Sequence, residues 1–141
     1  MTEGRLNVCA DAEAPGAVGA FLETFLRAHA VAADDIARFM IAAEELVSNL
    51  VKYGYADEAA RGAVTVTLRS AAGRVRVEMI DDGRPFDPFA QPAPDLEAPL
   101  EARPVGGLGL YLVKQLMDET SYRREGGRNI TTFSRRVLPA G

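Results

Sequence analysis

Residues 63–83 read AVTVTLRSAAGRVRVEMIDDG, and this stretch decides the fold. Val64, Val66 and Leu68 alternate with Thr65, Thr67 and Arg69, and Val75, Val77 and Met79 alternate with Arg74, Arg76 and Glu78. A period of two sends successive side chains to opposite faces, so each segment is a strand with one apolar face. The link Ala71-Ala72-Gly73 is short enough for a hairpin, which makes the pair antiparallel. The second strand runs into Asp81-Asp82-Gly83, where the alternation stops.

Toward the N-terminus the period changes to that of a helix. Asp34 and Asp35 can cap a helix whose apolar face runs through Ile36, Phe39, Met40, Ala43, Val47 and Leu50. Before it, Pro15 suits the first position of another helix, with Val18, Phe21, Leu22, Phe25, Leu26 and His29 at three- and four-residue steps. His29 closes that stripe, where a partly buried, hydrogen-bonded imidazole is the common outcome, so it is assigned no chemistry. Arg5 to Ala10 alternates Leu6, Val8 and Ala10 with Asn7 and Cys9 and reads as the first strand.

Toward the C-terminus, six of the eight prolines fall between Arg84 and Pro104, marking a long loop. It ends in Gly106-Gly107-Leu108-Gly109, after which Leu110, Val113, Leu116 and Met117 trace a third helix. Strands over Thr120–Glu125 and Asn129–Val137 join at Gly126-Gly127. The inventory predicts an α+β fold: a mixed, mostly antiparallel sheet of about five strands covered on one face by three helices, as one domain over 1–141.

Composition narrows the function. The 141 residues carry 16 Lys+Arg against 20 Asp+Glu, a net charge of −4, with 48% hydrophobic residues. An acidic balance argues against general attraction to nucleic acid or to an anionic membrane. One cysteine and one histidine make neither an internal disulfide nor a common zinc site. No apolar run approaches the roughly 20 residues that span a bilayer, and the N-terminus lacks a secretory pattern, so the expectation is cytoplasmic.

Three clusters could carry chemistry. Glu45, Ser48, Asn49 and Lys52 fall on one helix face that is not the apolar one, a pattern that is usually only a solvated face. Asp81 at a strand end can accept a hydrogen bond from an exocyclic amine, and Gly83 lets a ring approach the backbone. Gly106-Gly107-Leu108-Gly109 opens a helix, whose free amides and dipole favour phosphate. Each is weak alone. The three in this order are far more specific.

In that order they resemble a known family. Glu44-Glu45-Leu46-Val47-Ser48-Asn49-Leu50-Val51-Lys52-Tyr53-Gly54-Tyr55 is similar to the N-box of the GHKL ATPases, Asp81-Asp82-Gly83 to their G1 box, and Gly106-Gly107-Leu108-Gly109-Leu110-Tyr111-Leu112-Val113 to their G2 box. Within that superfamily the chain most resembles the stand-alone anti-sigma-factor serine/threonine kinases, which bind ATP and phosphorylate an anti-anti-sigma partner. The resemblance implies a Bergerat-type two-layer sandwich with an ATP lid over about 84–105. It implies Glu45 as general base and Asn49 as the Mg²⁺ ligand, with Asn49 and Lys52 as nucleotide-binding residues of the N-box. Asp81, Gly83 and Thr131 would form the adenine site, with Thr132 one residue away in register. Arg103, Gly106, Gly107, Leu108, Gly109 and Leu110 would belong to the lid and phosphate region.

The sequence departs from the family pattern at three places. Arg84-Pro85 replaces a second glycine after the G1 box, Tyr53 replaces a histidine late in the N-box, and Ile130 stands where a glycine is common, which would reshape the adenine pocket. The leading expectation is a serine/threonine kinase using Mg·ATP in a partner-switching pathway. Its implied partners are an anti-anti-sigma (STAS) protein and a sigma factor, with homodimerisation inherited from relatives. The alternative is a nucleotide-gated module that sequesters a regulator without phosphoryl transfer. A histidine-kinase catalytic half is disfavoured, because no dimerisation helix carries a phosphoacceptor histidine and His29 lacks an adjacent acid.

Overall fold

A computed structural model describes residues 1–90, 97 and 107–141. Its elements are β1 (Thr2–Cys9), α1 (Ala14–Ala28), α2 (Ala33–Tyr53), β2 (Ala63–Ala71), β3 (Arg74–Asp81), α3 (Gly107–Leu116), β4 (Glu119–Glu125) and β5 (Arg128–Arg136), with a short 3-10 turn at Glu58–Ala60. The five strands form one sheet in the order β1-β2-β3-β5-β4. A mixed, mostly antiparallel sheet is the sequence expectation; all four pairings are antiparallel. Two of them are tight hairpins. Ala72 and Gly73 (φ 52° and 76°), and Gly126 and Gly127 (φ 58° and 75°), put positive φ at both central positions, the turn whose twist matches a right-twisted pair.

The helices cover one face. Val64, Val66, Leu68, Val75, Val77 and Phe133 point from the sheet into a core shared with Val18 and Leu22 of α1, Phe39 and Val47 of α2, and Val113 of α3. Phe39 and Phe133 stack with centroids 6.3 Å apart, tying α2 to β5. Every one of these side chains is essentially buried, so removing apolar area from water drives the two layers together. Among the described residues, no helix is long and apolar enough to cross a membrane.

Two local expectations change. β1 begins at Thr2 rather than Arg5, because β2 extends far enough to pair Thr2 with Ser70. Asp34 and Asp35 do not cap α2: the helix starts at Ala33 behind Ala32, and both acids sit in its first turn. Asp35 turns inward and is nearly inaccessible. It receives Arg38 Nη1 at 2.9 Å, Arg135 Nε at 3.2 Å and the Leu138 N–H at 2.8 Å. Burial pushes its carboxyl up, but the Leu138 amide, the two arginines and the Arg135 charge outweigh this and hold it below the usual value. His29 behaves as the stripe implies, bonding through Nδ1 to Phe25 O at 2.7 Å and stacking on the Phe25 ring.

Candidate functional site

α2 packs against α1 on one side and α3 on the other, and its C-terminal half runs past the end of β3. A pocket of about 210 Å³ opens there. Leu46, Leu50 and Tyr53 of α2, Met79 of β3, and Phe86 and Pro88 beyond it form apolar walls. Asp81, Asn49, Asn129 and Thr131 add polar groups at separate points of the lining. An apolar slot with a few placed polar groups is the ordinary form of a small-molecule site.

Asp81 marks one end. Its Oδ1 accepts the Gly83 N–H at 2.9 Å and Asn129 Nδ2 at 2.9 Å, while Oδ2 takes no hydrogen bond from the described residues. Burial pushes this carboxyl up, and the two hydrogen bonds offset the effect only in part. The next residues must stay close to α2. A Cβ on Gly83 would lie 2.9 Å from Leu50 Cδ1 and 3.1 Å from Gly54 O, so the chain passes only as glycine. The Arg84 N–H then bonds Gly54 O at 2.9 Å, fixing the exit.

Asn49 lines the pocket and ties it to Glu45, which is not itself a lining residue. Asn49 Nδ2 donates to Glu45 Oε1 and to Glu45 O, both at 2.8 Å, one helical turn apart as the four-residue spacing requires. The Asn49 carboxamide oxygen makes no hydrogen bond with the described residues. The first turn of α3 lies directly on this pair. A Cβ on Gly109 would be 2.0 Å from Glu45 Oε1 and 2.3 Å from its Cδ. The amide N–H groups of that turn have no intrahelical partner. The glycine cluster therefore meets Glu45, and Asn49 connects that contact to the pocket that holds Asp81.

Other expected residues fall differently. Thr131 lines the pocket, whereas Thr132 points to the open face and shares a hydrogen bond with Ser121. Ile130, expected to reshape the pocket, also faces away, opposite Ile80 and Arg123. Tyr53 and Arg84, two of the departures, both contribute to the lining. Lys52 is exposed in the last turn of α2 and is not among the pocket residues. Leu108 is exposed and Leu110 is buried in the core, so the side chain of Leu110 serves packing. Gly107 begins α3; Arg103, Gly106 and most of the 84–105 lid lie outside the described residues.

Sequence reasoning missed Asn129, Tyr122 and Arg124. Asn129 is buried at 4% exposure and bonds Asp81, Arg84 O and Tyr122 Oη, while Arg124 Nη1 reaches Gly83 O at 2.7 Å. An asparagine just after Gly126-Gly127 reads as part of a turn, so no local signal marks it.

A sheet covered by helices on one face, with a slot of this composition between a helix and a strand end, is that of a GHKL-type nucleotide-binding domain. The chain belongs to the histidine kinase-like ATPase domain family, whose model matches residues 8–135. It is similar to the serine-protein kinase RsbW of Staphylococcus epidermidis, 34% identical over 103 residues that cover 70% of this chain and 64% of that protein. It is also similar to RsbW of Bacillus velezensis, 37% identical over 99 residues covering 67% and 61%. The chain thus spans a little under two thirds of the length of these relatives. A crystal structure of the RsbU and RsbW domains of a Mycobacterium tuberculosis protein superposes with a TM-score of 0.72 at 25% identity, covering 99% of this chain and 34% of that one. The SiaB–SiaC complex from Pseudomonas aeruginosa shares the fold, with a TM-score of 0.55 at 20% identity over 94% of this chain and 89% of that one.

Proposed function

We propose that the chain is an ATP-dependent serine/threonine protein kinase that phosphorylates an anti-anti-sigma (STAS) partner in a partner-switching pathway. The observation that carries this reading is the seating of Gly109 on Glu45, which sets a carboxylate and the start of a helix beside Asn49, a lining residue of the slot that also holds the partly buried Asp81 carboxylate. The likeness to RsbW serine-protein kinases supports the choice of acceptor.

The residues fit the nucleotide. Asp81 Oδ2 is the acceptor left for the exocyclic amine of adenine, with Leu46, Leu50, Met79 and Phe86 against the ring. Asn49 would hold Mg²⁺ through its carboxamide oxygen, where the ion offsets charge on the phosphates when bound. Glu45 does the proton work. Asn49 Nδ2 holds its Oε1, which leaves Oε2 to accept the proton of a partner's serine hydroxyl. As that proton moves to Glu45, the serine Oγ–Pγ bond forms and the bond from Pγ to the β,γ-bridging oxygen breaks, releasing ADP; Glu45 then returns its proton to water.

The test is the intact mass of a STAS protein encoded near this gene after incubation with the chain and Mg·ATP, with Glu45→Ala alongside. One added phosphate, absent with Glu45→Ala although that variant still binds ATP, is the expected result. No added mass with an ATP-dependent complex would replace the kinase by a nucleotide-gated binding module.

A further inference from the structure

Asn129 lines the pocket, yet its amide has no capacity left for a ligand. Nδ2 donates to Asp81 Oδ1 and to Arg84 O, each at 2.9 Å, with Gly83 O at 3.5 Å. Oδ1 accepts Tyr122 Oη at 2.6 Å and Arg124 Nη1 at 3.1 Å. A carboxamide has two N–H donors and two acceptor lone pairs, and all four are used. The partners also fix which way the amide points: a carboxylate and carbonyls lie on one side, a phenol and a guanidinium on the other. The side chain is 4% exposed, so it cannot trade these bonds for water.

This network spans the sheet from β4 to the loop after β3. Arg124 also donates to Gly83 O at 2.7 Å, so the backbone at residues 83 and 84 is held from the same cluster. Asp81 Oδ1 is thereby saturated by Gly83 and Asn129, while Oδ2 takes no hydrogen bond from the described residues and Asp81 lines the pocket.

We infer that Asn129 is a positioning residue that sets base selectivity, by locking Asp81 as a hydrogen-bond acceptor with Oδ2 aimed into the slot. The inference rests on the nucleotide reading above. An oriented acceptor oxygen accepts from a 6-amino purine and repels a base bearing a carbonyl there. Asn129→Asp keeps the shape and removes both donors. Two carboxylate oxygens then face each other, and the relief is rotation of Asp81 or sharing of one proton, either of which ends its fixed role as acceptor. The charged and titratable groups around the pair include Asp82, Tyr55, Tyr122 and Arg124.

The experiment is calorimetric titration of the wild-type chain and Asn129→Asp with ATP and with ITP, which carries a carbonyl in place of the 6-amino group. The wild type is expected to prefer ATP by at least about tenfold, since a site built for a hydrogen bond penalises its loss strongly. Asn129→Asp is expected to lose about tenfold or more on ATP and little on ITP, bringing the two within about threefold. Equal loss on both nucleotides, with the ratio kept, would make Asn129 a purely structural residue and overturn the inference. A wild-type chain that binds neither nucleotide would instead sink the nucleotide reading, and this inference with it. If Asn129→Asp does not fold by circular dichroism, Asn129→Ser, too short to span Asp81 and Arg84, takes its place with the same two outcomes.

Discussion

Replacing Gly109 by alanine separates stability from chemistry at the site. The new Cβ would lie 2.0 Å from Glu45 Oε1 against an ordinary contact of 3.4 Å or more, so the carboxylate must move by more than 1 Å. The obstacle is the far end of a flexible side chain and not backbone, so Glu45 yields and α3 stays. Losing the Asn49–Glu45 hydrogen bond costs about 1 kcal/mol, and a less favourable glutamate rotamer about another 1. Alanine in place of glycine in a helix returns up to about 1 kcal/mol. The net change is therefore about 1 kcal/mol, a shift of a few degrees in Tm for a chain of this size. Transfer is different, because a displacement of about 1 Å of a reacting group costs on the order of 100-fold. Urea melts and the mass assay on one preparation test both. A transfer rate within about threefold of wild type would refute the placement of Glu45 at the reacting end. A stability loss above about 3 kcal/mol would show that the backbone, not the side chain, gives way.

Two further outcomes follow from Asp35 and Asp82. Asp35→Asn should cost about 2 kcal/mol at pH 7, less than a fully buried pair because Arg38 and Arg135 remain 36% and 26% exposed. The folded carboxyl sits below its ordinary 3.8, so its contribution is complete above that pH and is lost as pH falls through the native value; urea melts at pH 7 and at steps below pH 3.8 should show the gap closing. Gly62→Ala would put a Cβ 2.1 Å from both Asp82 carboxylate oxygens and push them off Tyr55 Oη, now 2.5 Å away. Burial, then the Asp82 hydrogen bond and charge, hold the Tyr55 phenol above its ordinary value, so ultraviolet titration of the variant should find it moved down toward about 10.

Strong local signals were legible. Alternation over 64–79 and two short glycine-containing links predicted the hairpins that appear as β2–β3 and β4–β5, since a period of two and a positive-φ turn depend on neighbours in sequence alone. Where an interaction came from a distant residue, the reading slipped. Asp34 and Asp35 look like caps until Arg135 and Leu138, a hundred residues away, take the Asp35 carboxylate. The start of β1 was invisible because Thr2–Gly4 pair with β2, not with each other.

The site divides along the same line. Spacing placed Glu45 and Asn49 one turn apart on α2, put Asp81 at a strand end and opened a helix at the glycine cluster; helix and strand geometry turns those spacings into positions without further help. The sequence by itself could not say that Gly109 rests on Glu45, that Thr131 and not Thr132 enters the slot, or that Asn129 holds Asp81. Those facts depend on how α3 packs on α2 and on the register of β5 against β3. Only the burial of one shared core fixes both, because a one-residue slip of β5 would send Phe133 and Thr131 to the open face together.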